Sequence, residues 1–223
     1  MRSLGKPEVL KSAAVAALLT AVACYPRLYL APQLAYPIWY LEALLFLGSI
    51  VLWAFVFAWH PQYSGHPVVM LRMPRAPFVW ATSGGLAMAG LLRLWLDPML
   101  RARTPEEYPL TVLQWVAATL FSLAFTQLFL VFAPFAWVLR LVRRQSPAVI
   151  LTVLFGVYVL AVKNYGSPRP MSAQLWLALL LVRLVVGLCS VLCFLRGGLL
   201  LVWWWSFLLQ SRHLLTLALE RPM

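Results

Sequence analysis

Long apolar runs separated by short polar connections make up almost the whole chain. The first, about Ser12 to Leu30, follows Arg2, Lys6 and Lys11, and the second, about Tyr36 to Trp59, carries Glu42 near its start. A polar connector containing His60, His66, Arg72 and Arg75 leads to a third run, about Phe78 to Leu96. After a polar loop from Asp97 to Glu107 comes the longest stretch, Pro109 to Leu139, of 31 residues. Wholly helical, it measures about 46 Å at 1.5 Å per residue, more than a hydrocarbon core of about 30 Å. Pro134 is expected to break or bend that helix, leaving one long span and a reoriented tail, with Arg140, Arg143 and Arg144 holding the next turn at a charged interface. Further runs cover about Pro147 to Val162, Ala173 to Leu195 and Leu199 to Leu217, and Arg196-Gly197-Gly198 reads as a tight turn between antiparallel helices.

Inside hydrocarbon every backbone N–H and C=O has to be paired within the structure, so runs of about 20 apolar residues point to helices. No run sustains the period-2 alternation of a barrel strand. The pattern predicts an all-α, polytopic transmembrane helical bundle of about seven spans. It divides into an N-terminal region of about three spans, residues 1–108, and a four-helix membrane core, residues 109–223. Gly84, Gly85 and Gly90 supply small positions at which another helix can approach closely. The basic start looks like a secretory signal, but no small-x-small cleavage site follows it. Ala21-Val22-Ala23-Cys24 departs from a lipoprotein box in having Ala21 where leucine is usual, so an uncleaved first span is expected.

Composition agrees, with 63% hydrophobic residues, 11% charged residues and a mean hydropathy of +0.85, too little polar surface for a water-facing fold. The 18 Lys and Arg give a net charge of +12, but they sit at the ends of apolar runs rather than in one stripe. The lipid bilayer is therefore the expected partner, and nucleic acid is not. Alternate connections carry nine cations on the N-terminal side (Arg2, Lys6, Lys11, Arg72, Arg75, Arg140, Arg143, Arg144, Arg196) and seven on the other, with Arg93 and Arg183 inside spans. That excess puts the N-terminus in the cytoplasm. Trp203, Trp204 and Trp205 suit an interfacial belt and core packing equally. Cys24, Cys189 and Cys193 lack disulfide or metal-knuckle spacing and read as small apolar fillers.

Candidate chemistry is sparse. Glu106 and Glu107 precede Tyr108-Pro109 and suit the positive end of a helix better than acid–base work. His60, His66 and His213 have no second ligand at metal spacing, so neither a metal nor a cofactor is expected. Arg183, about ten residues into its span, either pairs with a polar group on a neighbouring helix or reaches for an interface. Gln114, Ser122, Thr126 and Gln127 in the long helix, and Ser206 and Gln210 in the last, read as hydrogen-bonded glue between helices.

One further pattern starts at Thr126-Gln127-Leu128-Phe129-Leu130-Val131, passes a basic turn at Arg140 to Arg144, and continues to Phe155-Gly156-Val157-Tyr158-Val159. Gly187 to Leu195 then leads through Arg196-Gly197-Gly198 to Ser206-x-x-x-Gln210. In helix order and loop lengths this layout, about Ser122 to Leu215, resembles the CAAX-protease and bacteriocin-processing (CPBP, Abi-type) intramembrane peptidases. That family shows Glu-Glu-x-x-x-Arg, then Phe-x-x-x-His, then His-x-x-x-Asn or Asp. The resemblance puts Thr126 and Gln127 at the glutamate pair, Val131 at the arginine, Phe155 at the phenylalanine, Val159 at the first histidine, Ser206 at the second and Gln210 at the asparagine.

Every ionisable catalytic position is thus replaced. Gln127 cannot act as a base, and Val159 neither donates nor accepts a proton. The resemblance implies a catalytically inactive relative in a bacterial inner membrane that binds a membrane protein or peptide segment. Gln127 and Val131, and likewise Ser206 and Gln210, are four residues apart and share a helix face. Two alternatives stand beside it: an active peptidase using Glu106 or Glu107 with His213, and a transporter or channel component, which calls for repeats or a polar pore stripe.

Overall fold

The computed structural model describes residues 4–31, 35–105, 108–165 and 171–219, and among them there are helices and no strands. The helices are α1 (Pro7–Tyr29), α2 (Ile38–Ser64), α3 (Arg75–Leu91), α4 (Asp97–Arg103), α5 (Val112–Phe121), α6 (Ala133–Val142), α7 (Gln145–Tyr165) and α8 (Ala173–Leu219). Wide π-helical turns at Ser122–Thr126 and Leu128–Phe132 join α5 to α6, so Val112–Val142 forms one 31-residue helix. A similar turn at Leu92–Leu96 joins α3 to α4. Thr111 caps α5 by accepting from the Gln114 N–H at 3.2 Å, while Gln114 Oε1 accepts from Leu110 N–H at 2.7 Å, a reciprocal arrangement akin to a capping box.

Four local expectations change. His60 is not in a connector, because α2 continues through Pro61 to Ser64 and buries that histidine completely. Asp97 opens a helix rather than a polar loop. The chain stays helical past Pro134 to Val142: a proline has no N–H to return to the preceding turn, and the wide turns immediately before it take up the lost register. Gln114 serves the start of its own helix rather than a neighbouring one.

Among the described residues, five helices are long and apolar enough to cross a membrane: α1, α2, Val112–Val142, α7 and α8. The 47 residues of α8 would reach about 70 Å if straight. Instead the chain turns at Gly198, at φ 65° and ψ −161°. The partners on either side establish its direction. Before the turn, Phe194 packs on Phe132 and Phe135 of the long helix; after it, Gln210 donates to Ser122 and accepts from Trp115 at the beginning of that same helix. The run is therefore a hairpin whose halves, 173–197 and 199–219, are antiparallel, as the Arg196-Gly197-Gly198 signal predicts.

The returning half lies along α3. Gly85 meets Leu208 so closely that an added Cβ would come within 2.9 Å of its side chain, and Gly84 faces Trp205; Gly90 meets nothing. Trp205 is buried on Trp80, and Trp204 donates to Thr82 Oγ1 at 2.9 Å, so these two tryptophans serve packing rather than a belt. The core cluster draws on both sequence regions: Trp53 and Val56 of α2 pack with Phe132, Phe194 and Trp205. The three cysteines are free thiols, as fillers should be.

One end of the bundle gathers the start of α1, the connector at 65–74, the α6–α7 turn and the hairpin tip. Leu199 N–H bonds Val68 O at 2.9 Å, and the Gln145 side chain donates to Ser64 O at 3.3 Å. The opposite end holds a polar clamp. Asp97, buried in α4, accepts from Arg212 Nε at 3.0 Å and from the Tyr108 hydroxyl at 3.1 Å.

Candidate functional site

Several polar side chains of the spanning helices meet in a small cavity where the long helix, α7 and the first half of α8 converge. Gln127 stands between the two π turns, a deformation frequent at functional sites, and lines the gap. Val131, one turn on, lines the same gap, with Thr152 and Gly156 from α7 and Arg183, Gly187 and Ser190 from α8. The volume is about 20 Å³, room for a single water-sized molecule.

Each polar group has a defined state. Arg183 Nε donates to Gly156 O at 3.2 Å, and no carboxylate lines the cavity. The missing Cβ of Gly156 is what lets the guanidinium lie against α7, because a methyl there would sit 3.1 Å from both Nε and Nη2. Thr152 and Ser190 donate to carbonyls of their own helices, at 2.7 and 2.8 Å. Gln127 Oε1 is buried without a partner, an acceptor left open beside a cation. Of the two readings of Arg183, pairing with a polar group on a neighbouring helix is the one observed.

Of the seven positions named by the family resemblance, Gln127 and Val131 line this cavity. Thr126 is half-buried in the first π turn, and Phe155 packs edge-on against Phe129 on the long helix, 5.8 Å between centroids. Val159, one turn beyond Phe155, is half-buried outside the cavity lining. Ser206 and Gln210 belong to the returning half of α8, which contributes nothing to the cavity. Gln210 ties that half to Ser122 at 3.2 Å, the expected glue, whereas Ser206 Oγ is buried with no partner. Glue therefore describes Ser122 and Gln210 but not Gln127 or Ser206. Thr152 and Ser190 are not singled out by the sequence, and Gly156 enters there only as the neighbour of Phe155. Their signal was Thr152-x-x-x-Gly156 facing Gly187-x-x-Ser190, small and hydroxyl residues at helical spacing on two apolar helices.

The other candidates sit apart. His60 is wedged between Phe194 and Phe135, with ring centroids 4.2 and 6.0 Å away, and both its nitrogens lack partners. His213 is buried edge-on to Tyr108, 5.4 Å between centroids, beside the Asp97–Arg212 pair. Asp97 accepts on both carboxylate oxygens, from Arg212 and Tyr108, and so ties α4 to the end of α8. Burial, then the Asp97 carboxylate beside it, holds the Tyr108 phenol above its ordinary value. Glu106 and Glu107 lie outside the described residues. Among the described residues no three metal-ligating side chains cluster. A larger groove of about 710 Å³ between α1, α2 and the long helix is almost wholly apolar, with the Thr20–Trp53 hydrogen bond in its wall; in a bilayer such a groove is ordinary lipid-facing surface. No known protein family, curated protein or solved structure matches the chain.

Proposed function

We propose that this integral membrane protein crosses the bilayer seven times and binds, without cleaving, a membrane-embedded segment of a partner at the edge of the Gln127–Arg183 cavity. The seven crossings are α1, α2, α3, the long helix, α7 and the two halves of α8. The observation that carries the binding role is the content and size of the cavity: a cation and an open amide acceptor at membrane depth, in about 20 Å³. A peptide does not fit inside it. The hydroxyls of Thr152 and Ser190 spend their protons on their own helices, so no base activates them. An intramembrane arginine is expensive, and it is best complemented by a carboxylate on a partner segment arriving from the lipid side, next to the half-buried Arg183. An inactive relative of the CPBP peptidases stays in this reading on Gln127 and Val131 alone, because Thr126, Phe155, Val159, Ser206 and Gln210 lie outside the cavity lining.

The test is a photoreactive side chain in place of Leu184, which is exposed beside Arg183, irradiated in native membranes. A discrete adduct that disappears with Arg183→Leu and persists with Arg183→Lys is expected, and so is no hydrolysis of membrane-embedded peptides by the purified protein. Peptide hydrolysis, or an adduct indifferent to Arg183, contradicts the proposal.

A further inference from the structure

The basic end of the bundle carries a second, larger cavity. It lies between the 65–74 connector, the beginning of α7 and the end of the first half of α8, and has a volume of about 580 Å³. Its walls divide by chemistry: His66, Gln145, Ser146 and Arg196 at the polar rim, Val149, Leu192 and Leu195 on the membrane side. Two hydrogen bonds between elements at this end, Gln145 to Ser64 O and Leu199 N–H to Val68 O, fix the walls relative to one another.

We propose that this cavity binds the phosphate headgroup of an anionic phospholipid. Arg196 is exposed at the rim and no hydrogen bond or ion pair engages it among the described residues, so its guanidinium fork is free for phosphate oxygens. Arg72, Arg75, Arg143 and Arg144 are exposed at the same end, where Glu8 is the sole carboxylate among the described residues. That excess of positive charge attracts anionic headgroups to the interface. The apolar wall distinguishes a lipid from a free phosphate. Below Val149 and Leu192, the side chains of Ile150, Leu154 and Leu188 are exposed on α7 and α8 and offer a path for acyl chains directly beneath the headgroup.

The experiment is native mass spectrometry of the purified full chain equilibrated with phosphatidylglycerol or phosphatidylcholine, with glycerol 3-phosphate as a soluble competitor. Retention of phosphatidylglycerol over phosphatidylcholine is expected. Arg196→Gln should weaken it about fivefold, the effect of one basic group at an anionic surface, while Arg27→Gln at the opposite end leaves it unchanged. Val149→Trp, which fills the cavity without removing charge, should weaken it as well. Equal retention of the two lipids overturns the proposal. So does loss with Arg196→Gln but not with Val149→Trp, which would mean diffuse attraction to the basic face, and so does competition by glycerol 3-phosphate as effective as the lipid, which would mean a soluble ligand.

Discussion

Arg183 Nε and the carbonyl oxygen of Gly156 are 3.2 Å apart, so a cation at membrane depth is anchored on the neighbouring helix by backbone rather than by a counter-charge. Donated by a charged group, the bond contributes about 1.5–3 kcal/mol, which at most offsets the cost of about 2.5–3.5 kcal/mol for an arginine at the centre of a spanning helix. Arg183→Leu is therefore expected to leave the Tm in detergent unchanged or raise it, while abolishing the partner adduct. A clear fall in Tm would make Arg183 a structural residue.

Gly156→Ala separates packing from binding. The atoms nearest to the new methyl belong to the movable end of Arg183, and alanine favours a helix over glycine by about 1 kcal/mol. Thermal stability should stay close to wild type while the guanidinium is displaced and the adduct weakens, read by the same two assays.

Asp97 and Arg212 pin α4 to the end of α8. Removing one partner strands the other in a largely desolvated site, and hydrogen bonds to charged groups contribute about 1.5–3 kcal/mol. Asp97→Ala should destabilise by that amount, and a double-mutant cycle with Arg212→Gln should show strong coupling. Additive losses would mean that the pair is only a surface contact.

Tyr108 makes that end sensitive to alkali. Its folded-state pKa lies above the unfolded value of about 10, so its stabilisation is complete below about pH 10 and is lost as pH rises through the folded value. Tm measured from pH 8 upward should fall more steeply for wild type than for Tyr108→Phe, and parallel curves would remove Tyr108 from the account.

Much of this fold can be read from apolar run length and punctuation. The first two runs, the long helix and the glycine turn at 197–198 all appear where expected, because length and a Gly pair are local signals. His-Pro reads as a loop in the sequence, whereas in the fold α2 runs on through Pro61 and Phe135 and Phe194, distant in sequence, cover His60. The π turns around Gln127 have no local signature except Pro134 downstream. The cavity stayed hidden for another reason: Arg183 was conspicuous, but a backbone carbonyl as partner leaves no trace in sequence.

The turn at Gly198 determines the number of crossings. Its φ/ψ is essentially glycine-only, and an added Cβ would sit 2.7 Å from Val68 O. The most direct test is cysteine labelling from each side of sealed membranes, in a chain lacking Cys24, Cys189 and Cys193, with single cysteines at Ser146, Arg196, Arg101 and Lys163. The account predicts that positions 146 and 196 react from one side, and 101 and 163 from the other. Labelling of 196 and 163 from the same side would contradict the hairpin and the seven crossings with it.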